Sequence, residues 1–209
     1  MTTGLAADRA RLLHLLRELS FERRPVVLAS GKASNFYIDC KRTALTAEGH
    51  TLVGRCLLER MRRVSPPVRG AGGLTLGADP LASAVAMTSF LEYERWRAAH
   101  PQGVEGQPEP ASAPALIDAF IVRKVPKGHG TGQWIEGRRT IPDGSRVAVL
   151  EDVVTSGGSA LMAIERCQAE NLVVAACLAL VDRGEGGREA IEAVGVPLDA
   201  LFSREDFFR

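Results

Sequence analysis

Three segments read as apolar strands that finish in charged residues: DAFIVRK (118–124), RVAVLED (146–152) and VVAACLALVDR (173–183). None of them alternates apolar with polar residues, as a strand with one wet face would. Helical spacing fills much of the chain between and around them, and ALFS (200–203) reads as a shorter last strand. Uniformly apolar strands alternating with helices imply an α/β fold, a mostly parallel sheet covered by helices on both faces. Sheets of this kind bind ligands outside the carboxyl ends of their strands. Arg123-Lys124, Glu151-Asp152 and Asp182-Arg183 stand at those ends, so the pattern gathers charge at one crevice.

The remaining elements follow from spacing and caps. Leu12, Leu15, Leu16 and Leu19 recur at helical intervals over 5–19, an amphipathic helix with its basic residues outside. PVVLAS and NFYIDC read as two short strands around GKAS. Thr46 suits the N-cap of a helix over 47–63, and its run Arg60, Arg62, Arg63 reads as a solvated helix end. Asp79-Pro80 looks like an N-cap followed by proline at the first helical position, with the helix running to about Arg97. Ala160, Ala163, Ile164 and Cys167 give the helix after residue 159 an apolar face, and a last helix falls near 187–194. Residues 98–115 hold four prolines and read as a surface insertion.

With 209 residues the chain suits one domain over 1–209, residues 1–45 forming an N-terminal helix and accessory segment. Formal net charge is +1, which gives no bulk attraction to nucleic acid or membrane; an anion site must be local. Cys40, Cys56, Cys167 and Cys177 show no C-x-x-C spacing, which argues against zinc, and three of them lie in apolar segments. The first residues lack a basic flank with an apolar run, and no stretch nears the roughly 18 apolar residues of a membrane helix. The expectation is a reduced, cytoplasmic protein.

The chemistry concentrates in LEDVVTSGGSA (150–160). A small-residue turn between a strand and a helix points several backbone N–H groups at one spot, where the helix dipole adds positive potential. Thr155, Ser156, Gly157, Gly158 and Ser159 form such a phosphate seat. It is neither a Walker A loop, since no G-K-[ST] follows, nor a dinucleotide fingerprint, since the acids precede the glycines. Glu151 and Asp152, a few ångströms back along the strand, are placed to accept hydrogen bonds from sugar hydroxyls. The segment therefore suits a ribose 5-phosphate.

This stretch resembles the diphosphoribosyl-binding motif of type I phosphoribosyltransferases, and four further motifs narrow the resemblance to the orotate phosphoribosyltransferase family. SGKASNFYIDCKR (30–42) is similar to that family's orotate segment, GLTLGADPLA (73–82) to its pyrophosphate-side loop, FIVRKVPKGHGTGQWIEG (120–137) to its R-K-x-x-K-x-H-G catalytic loop, and LVDR (180–183) to the segment with a substrate arginine. They occur in family order over about residues 20–185.

The resemblance implies the type I phosphoribosyltransferase fold, with a small N-terminal hood over a mostly parallel sheet flanked by helices. It implies transfer of the phosphoribosyl group of 5-phosphoribosyl 1-diphosphate to orotate, giving orotidine 5′-phosphate and pyrophosphate. Arg123, Lys124, Lys127 and His129 meet the diphosphate on this reading, and Glu151, Asp152, Val153, Val154, Thr155, Ser156, Gly157, Gly158 and Ser159 hold the ribose 5-phosphate. Tyr37, Thr155 and Arg183 take the orotate. Lys127, His129 and Asp152 are the catalytic candidates, the first two on a glycine-rich lid. Mg2+ is the implied cofactor, held mainly by substrate, and the implied assembly is a homodimer with shared active sites. A phosphoribosyltransferase for another base and a non-catalytic regulator of the same fold are the alternatives; the regulator needs a DNA-binding domain or basic face that this chain lacks. Two family lysines are missing, at Ala29 and in the loop Leu76-Gly77-Ala78; Lys32, Lys41 and Arg42 are the substitutes at hand.

Overall fold

A computed structural model describes residues 2–27, 33–101, 112–127 and 133–208. Its centre is a six-stranded sheet in the order β10-β9-β8-β5-β6-β7. The strands are β5 (Gly70–Leu74), β6 (Asp118–Val122), β7 (Ile135–Glu136), β8 (Arg146–Val154), β9 (Val173–Asp182) and β10 (Leu198–Ser203). All neighbours run parallel except β6 and β7. The uniform apolar runs are explained by two cores. Along β8, Ala148 and Leu150 enter one core while Val147 and Val149 enter the other. Alternate side chains thus serve opposite faces, and both faces are dry.

Helices α1 (Thr2–Leu15), α3 (Ala47–Met61) and α4 (Asp79–Ala99) cover the first face, where Leu12, Leu16, Leu57, Leu81 and Val85 are fully buried. Helices α5 (Gly158–Ala169) and α6 (Gly187–Ala193) cover the second, through Ala160, Ala163, Ile164 and Ile191. Strand β5 lies in the middle of the sheet, and its glycines allow close approach. A Cβ on Gly72 would sit 2.1 Å from the Phe120 carbonyl oxygen, and one on Gly73 2.1 Å from that of Leu150.

The hood consists of two nested antiparallel ribbons. β1 (Phe21–Glu22) pairs with β4 (Tyr37–Ile38), and β2 (Val26–Val27) with β3 (Ala33–Ser34), followed by the short helix α2 (Lys41–Ala44). Phe21 and Phe36 pack with Phe207 and Phe208, ring centroids 5.0–6.0 Å apart.

Thr46 caps α3 as expected, its Oγ1 accepting the Gly49 N–H at 3.0 Å. The helix stops at Met61, two residues early. Helix α4 starts at Asp79 itself, with Ala78 flanking; the Asp79 carboxylate accepts from the Thr75 hydroxyl at 2.7 Å. Two sets of basic residues expected in solvent turn out to be engaged. Arg9 and Arg17 of the first helical segment donate to the carbonyls of Leu201 and Asp206. Arg60 forks onto Asp199 at 3.1 Å, Arg62 pairs with Glu92, and Arg63 lies 3.6 Å from Glu59. Within the 98–115 segment, residues 102–111 lie outside the described residues.

Candidate active site

The parallel sheet brings the carboxyl ends of β6, β8 and β9 to one edge. Register places Val154 opposite Asp182, and the Arg183 N–H donates to the Val154 carbonyl at 3.0 Å. The turn 155–157 therefore runs beside Arg183. Gly157 has φ +82°, and a Cβ there would meet the Gly187 carbonyl oxygen at 3.0 Å. A Cβ on Gly187 would meet the Thr155 oxygen at 2.4 Å. Only glycines let the turn and the start of α6 approach this closely. Ser156, Gly158 and Ser159 stay exposed at the start of α5, where the first N–H groups of a helix have no intrahelical acceptor.

The acids differ from one another. Asp152 keeps 15% of its side chain open; its Oδ1 accepts the Val153 N–H at 3.0 Å and its Oδ2 lies 4.0 Å from Lys41 Nζ. Gly77 lies against the same carboxylate, since a Cβ there would stand 2.5 Å from Oδ1. Glu151 is buried. Burial, then the neighbouring Asp152 charge and a hydrogen bond to it, push the Glu151 carboxyl far above the ordinary carboxylate range, while Lys124 pulls weakly the other way. Burial thus favours the protonated form of Glu151, so the two acids are not equivalent.

Arg183 is 8% exposed. Its guanidinium lies 5.2 Å from the Phe36 ring centroid, donates to Ser34 Oγ at 3.2 Å and pairs with Glu185 at 2.9 Å. Its Nε is buried without a hydrogen-bond partner among the described residues. A buried cation with a spare donor at a strand end suits a ligand anion. The aromatic residue against Arg183 is Phe36; Tyr37, one residue on, packs its ring under Arg24 at 3.9 Å and Arg42 at 5.9 Å. Asp182 is engaged elsewhere, by the Gly184 N–H and by Arg188 of α6.

Arg123 reaches Glu136 of β7 at 3.1 Å, and its N–H donates to the Trp134 carbonyl at 2.9 Å. Lys124 is exposed just beyond β6. Lys127 is exposed too, and its N–H donates to the Gln133 carbonyl at 3.1 Å. Trp134 is fixed beneath the Arg166 guanidinium at 3.7 Å. These bonds tie residues 123–127 to residues 133–136. His129 lies outside the described residues, as do Ala29 and Lys32. Sequence reasoning did not single out Phe36, Ser34, Glu185 and Asp39. Lys41 was only one of three substitutes, although it stands in the same hood motif as Tyr37.

Among the described residues no group of three or more His, Cys, Asp or Glu is placed to hold a metal ion. No described helix is long and apolar enough to cross a membrane.

No family model matches the chain. It is 45% identical over 207 residues to the orotate phosphoribosyltransferase of Sorangium cellulosum, covering 99% of this chain and 96% of that protein. Among solved structures, Mycobacterium tuberculosis H37Rv orotate phosphoribosyltransferase in complex with Fe(III) dicitrate superposes with TM-score 0.72 at 34% identity, covering 96% and 98% of the two chains. The same enzyme in complex with 5-phospho-α-D-ribosyl 1-diphosphate superposes with TM-score 0.66 at 31% identity, covering 96% and 92%. Identity at this level over nearly the whole length, on the sheet and crevice described above, means that the chain belongs to the orotate phosphoribosyltransferase family.

Proposed function

We propose that the chain transfers the phosphoribosyl group of 5-phosphoribosyl 1-diphosphate to orotate, releasing pyrophosphate and orotidine 5′-phosphate, in the synthesis of UMP. The observation that carries this reading is the single edge on which the 155–159 turn, Asp152 and Arg183 meet. In the reaction the bond from ribose C1 to the diphosphate oxygen breaks, that oxygen keeping the electron pair. The orotate ring nitrogen supplies the pair for the new bond and gives up its proton.

The turn and the start of α5 seat the 5-phosphate through backbone N–H groups. Asp152 accepts from the ribose hydroxyls and fixes the sugar. Arg183 takes the orotate carboxylate with the donor now idle, so the base arrives already oriented. Positive charge grows on the sugar and negative charge on the leaving diphosphate as the bond opens. Arg123, Lys124, Lys127 and His129 supply cations to that leaving group.

Mg2+ fits this donor set: Asp152 is a partly exposed, hard oxygen ligand, and this ion takes one or two carboxylates beside substrate phosphate oxygens. Asp152 would hold it, most other ligands coming from the substrate, and the ion would draw charge from the diphosphate. A homodimer is the proposed assembly, supported by Met87, Phe90 and Leu91, an exposed apolar stripe on one face of α4. Cytoplasmic residence is supported by four free, buried cysteines. The deciding experiment is orotate absorbance on adding 5-phosphoribosyl 1-diphosphate and Mg2+. Absorbance should fall; turnover of adenine or uracil with no loss of orotate would refute the reading.

A further inference from the structure

The acid pair at the crevice has a built-in countercharge. Lys41 begins α2 on the hood, and its Nζ lies 2.7 Å from Asp39 Oδ1 and 4.0 Å from Asp152 Oδ2. Asp39 also accepts the Lys41 backbone N–H at 3.2 Å, so one carboxylate fixes both ends of the residue. The hydrogen bond with Asp39 raises the Lys41 pKa, and Asp152 adds to it, so the ammonium is charged at neutral pH. Arg42, next along the chain, points instead to Glu22 at 2.5 Å. Gly77 also lies against the Asp152 carboxylate, where a Cβ at position 77 would stand 2.5 Å from Oδ1.

We infer that Lys41 is a substrate-binding residue, whose ammonium grips the diphosphate of the sugar donor while Asp152 grips the ribose. This assignment rests on the proposed reaction. A polyanion approaching the Asp152 carboxylate meets repulsion unless a cation stands beside it, and among the described residues Lys41 is the one within ion-pair range of that carboxylate. Its side chain is 40% exposed, so it can turn from Asp152 to a ligand oxygen without leaving Asp39. Asp39 is the positioning residue in this arrangement.

The test compares ligands with and without the diphosphate. Calorimetric titrations of wild type, Lys41→Met and Lys41→Arg would use inorganic pyrophosphate with Mg2+, ribose 5-phosphate and 5-phosphoribosyl 1-diphosphate. Lys41→Met should weaken the two diphosphate-bearing ligands about 10- to 100-fold, the range for one charge-assisted hydrogen bond. Ribose 5-phosphate should bind within about twofold of wild type, and Lys41→Arg should recover most of the loss. Equal weakening of all three ligands would make Lys41 a support for Asp152 only and overturn the assignment, as would unchanged pyrophosphate binding. Thermal melts identify a variant that has lost its fold; Lys41→Arg with a wild-type melt and no diphosphate affinity above that of Lys41→Met would also overturn it. If wild type itself binds no diphosphate ligand, the functional reading falls first, and the role of Lys41 with it.

Discussion

Replacing Gly77 with alanine separates function from stability. The added Cβ would stand 2.5 Å from Asp152 Oδ1, 2.8 Å from Cγ and 3.1 Å from Oδ2, whereas ordinary contact starts at 3.4 Å. All three neighbours belong to one short side chain, so the fold can yield by rotating the carboxylate by about 1 Å, a displacement on the scale that costs roughly 10²-fold in rate. That movement also loosens the 3.0 Å bond from the Val153 N–H, a charge-assisted contact worth about 1.5–3 kcal/mol. Gly77→Ala should therefore lower kcat/KM about 10²-fold, or roughly 2.7 kcal/mol, with a melting temperature within a few degrees of wild type. Gly73→Ala is the contrast: its Cβ would meet the Leu150 backbone oxygen at 2.1 Å in the middle of the sheet, and the backbone cannot rotate away. That variant should lose about 1–3 kcal/mol of stability. The assay is orotate absorbance beside a thermal melt, completed by a double-mutant cycle with Asp152→Asn. Gly77→Ala and Asp152→Asn act on one carboxylate, so their effects should be far from additive. A Gly77→Ala enzyme within twofold of wild type, or a strictly additive cycle, refutes the reasoning.

Other expectations follow from the same crevice. Arg183→Ala should raise the KM for orotate well above any rise for the sugar diphosphate, and lysine should restore it only partly because it cannot pair bidentately; equal rises would reassign the residue. Lys127→Ala should lower kcat by about 10²–10³ with a smaller change in KM, as for a contact made chiefly in the transition state; steady-state kinetics within twofold of wild type in kcat would remove its catalytic role. Glu151 is held neutral by burial in the fold but ionises at its ordinary value when unfolded, so the unfolded state binds fewer protons above that value. Stability from this group is full below the ordinary carboxylate range and falls as pH rises through it toward the raised value. Wild type should thus lose more melting temperature than Glu151→Gln between about pH 5 and about pH 8; parallel curves would contradict the burial argument.

The α/β architecture was legible because β8 and β9 bury both faces and therefore carry no polar alternation. Thr46 was legible as a cap because the signal is local. β7 was not: Ile135–Glu136 is two residues long, embedded in a glycine-rich segment, and becomes a strand by pairing with Ile121 and Val122. The acid pair was visible, but not the inequality of its members, since the neutral state of Glu151 depends on burial by distant elements. The contact between Gly77 and Asp152 joins residues on separate strand ends, and no spacing rule reports it. Tyr37 was named from the family resemblance; which ring meets Arg183 depends on how the hood docks. Arg60 read as solvated because its partner, Asp199, lies 139 residues away.

The aromatic joint between the hood and residues 207–208 has a consequence for how the protein is made. Arg17 bonds a carbonyl 189 residues later, and Asn35 bonds Arg204 169 residues later. At a ribosomal rate of about 5–20 residues per second, the hood waits roughly ten to forty seconds for its other half. Until then Phe36 has neither Phe207 nor Phe208 against it. A nascent chain stalled short of residue 204 already contains the acid pair and the 155–159 turn, but not the ring cluster that packs on Phe36 beneath Arg183. Translation thus delivers the 151–159 side of the crevice early and completes the Arg183 side only once residues 204–208 have been made.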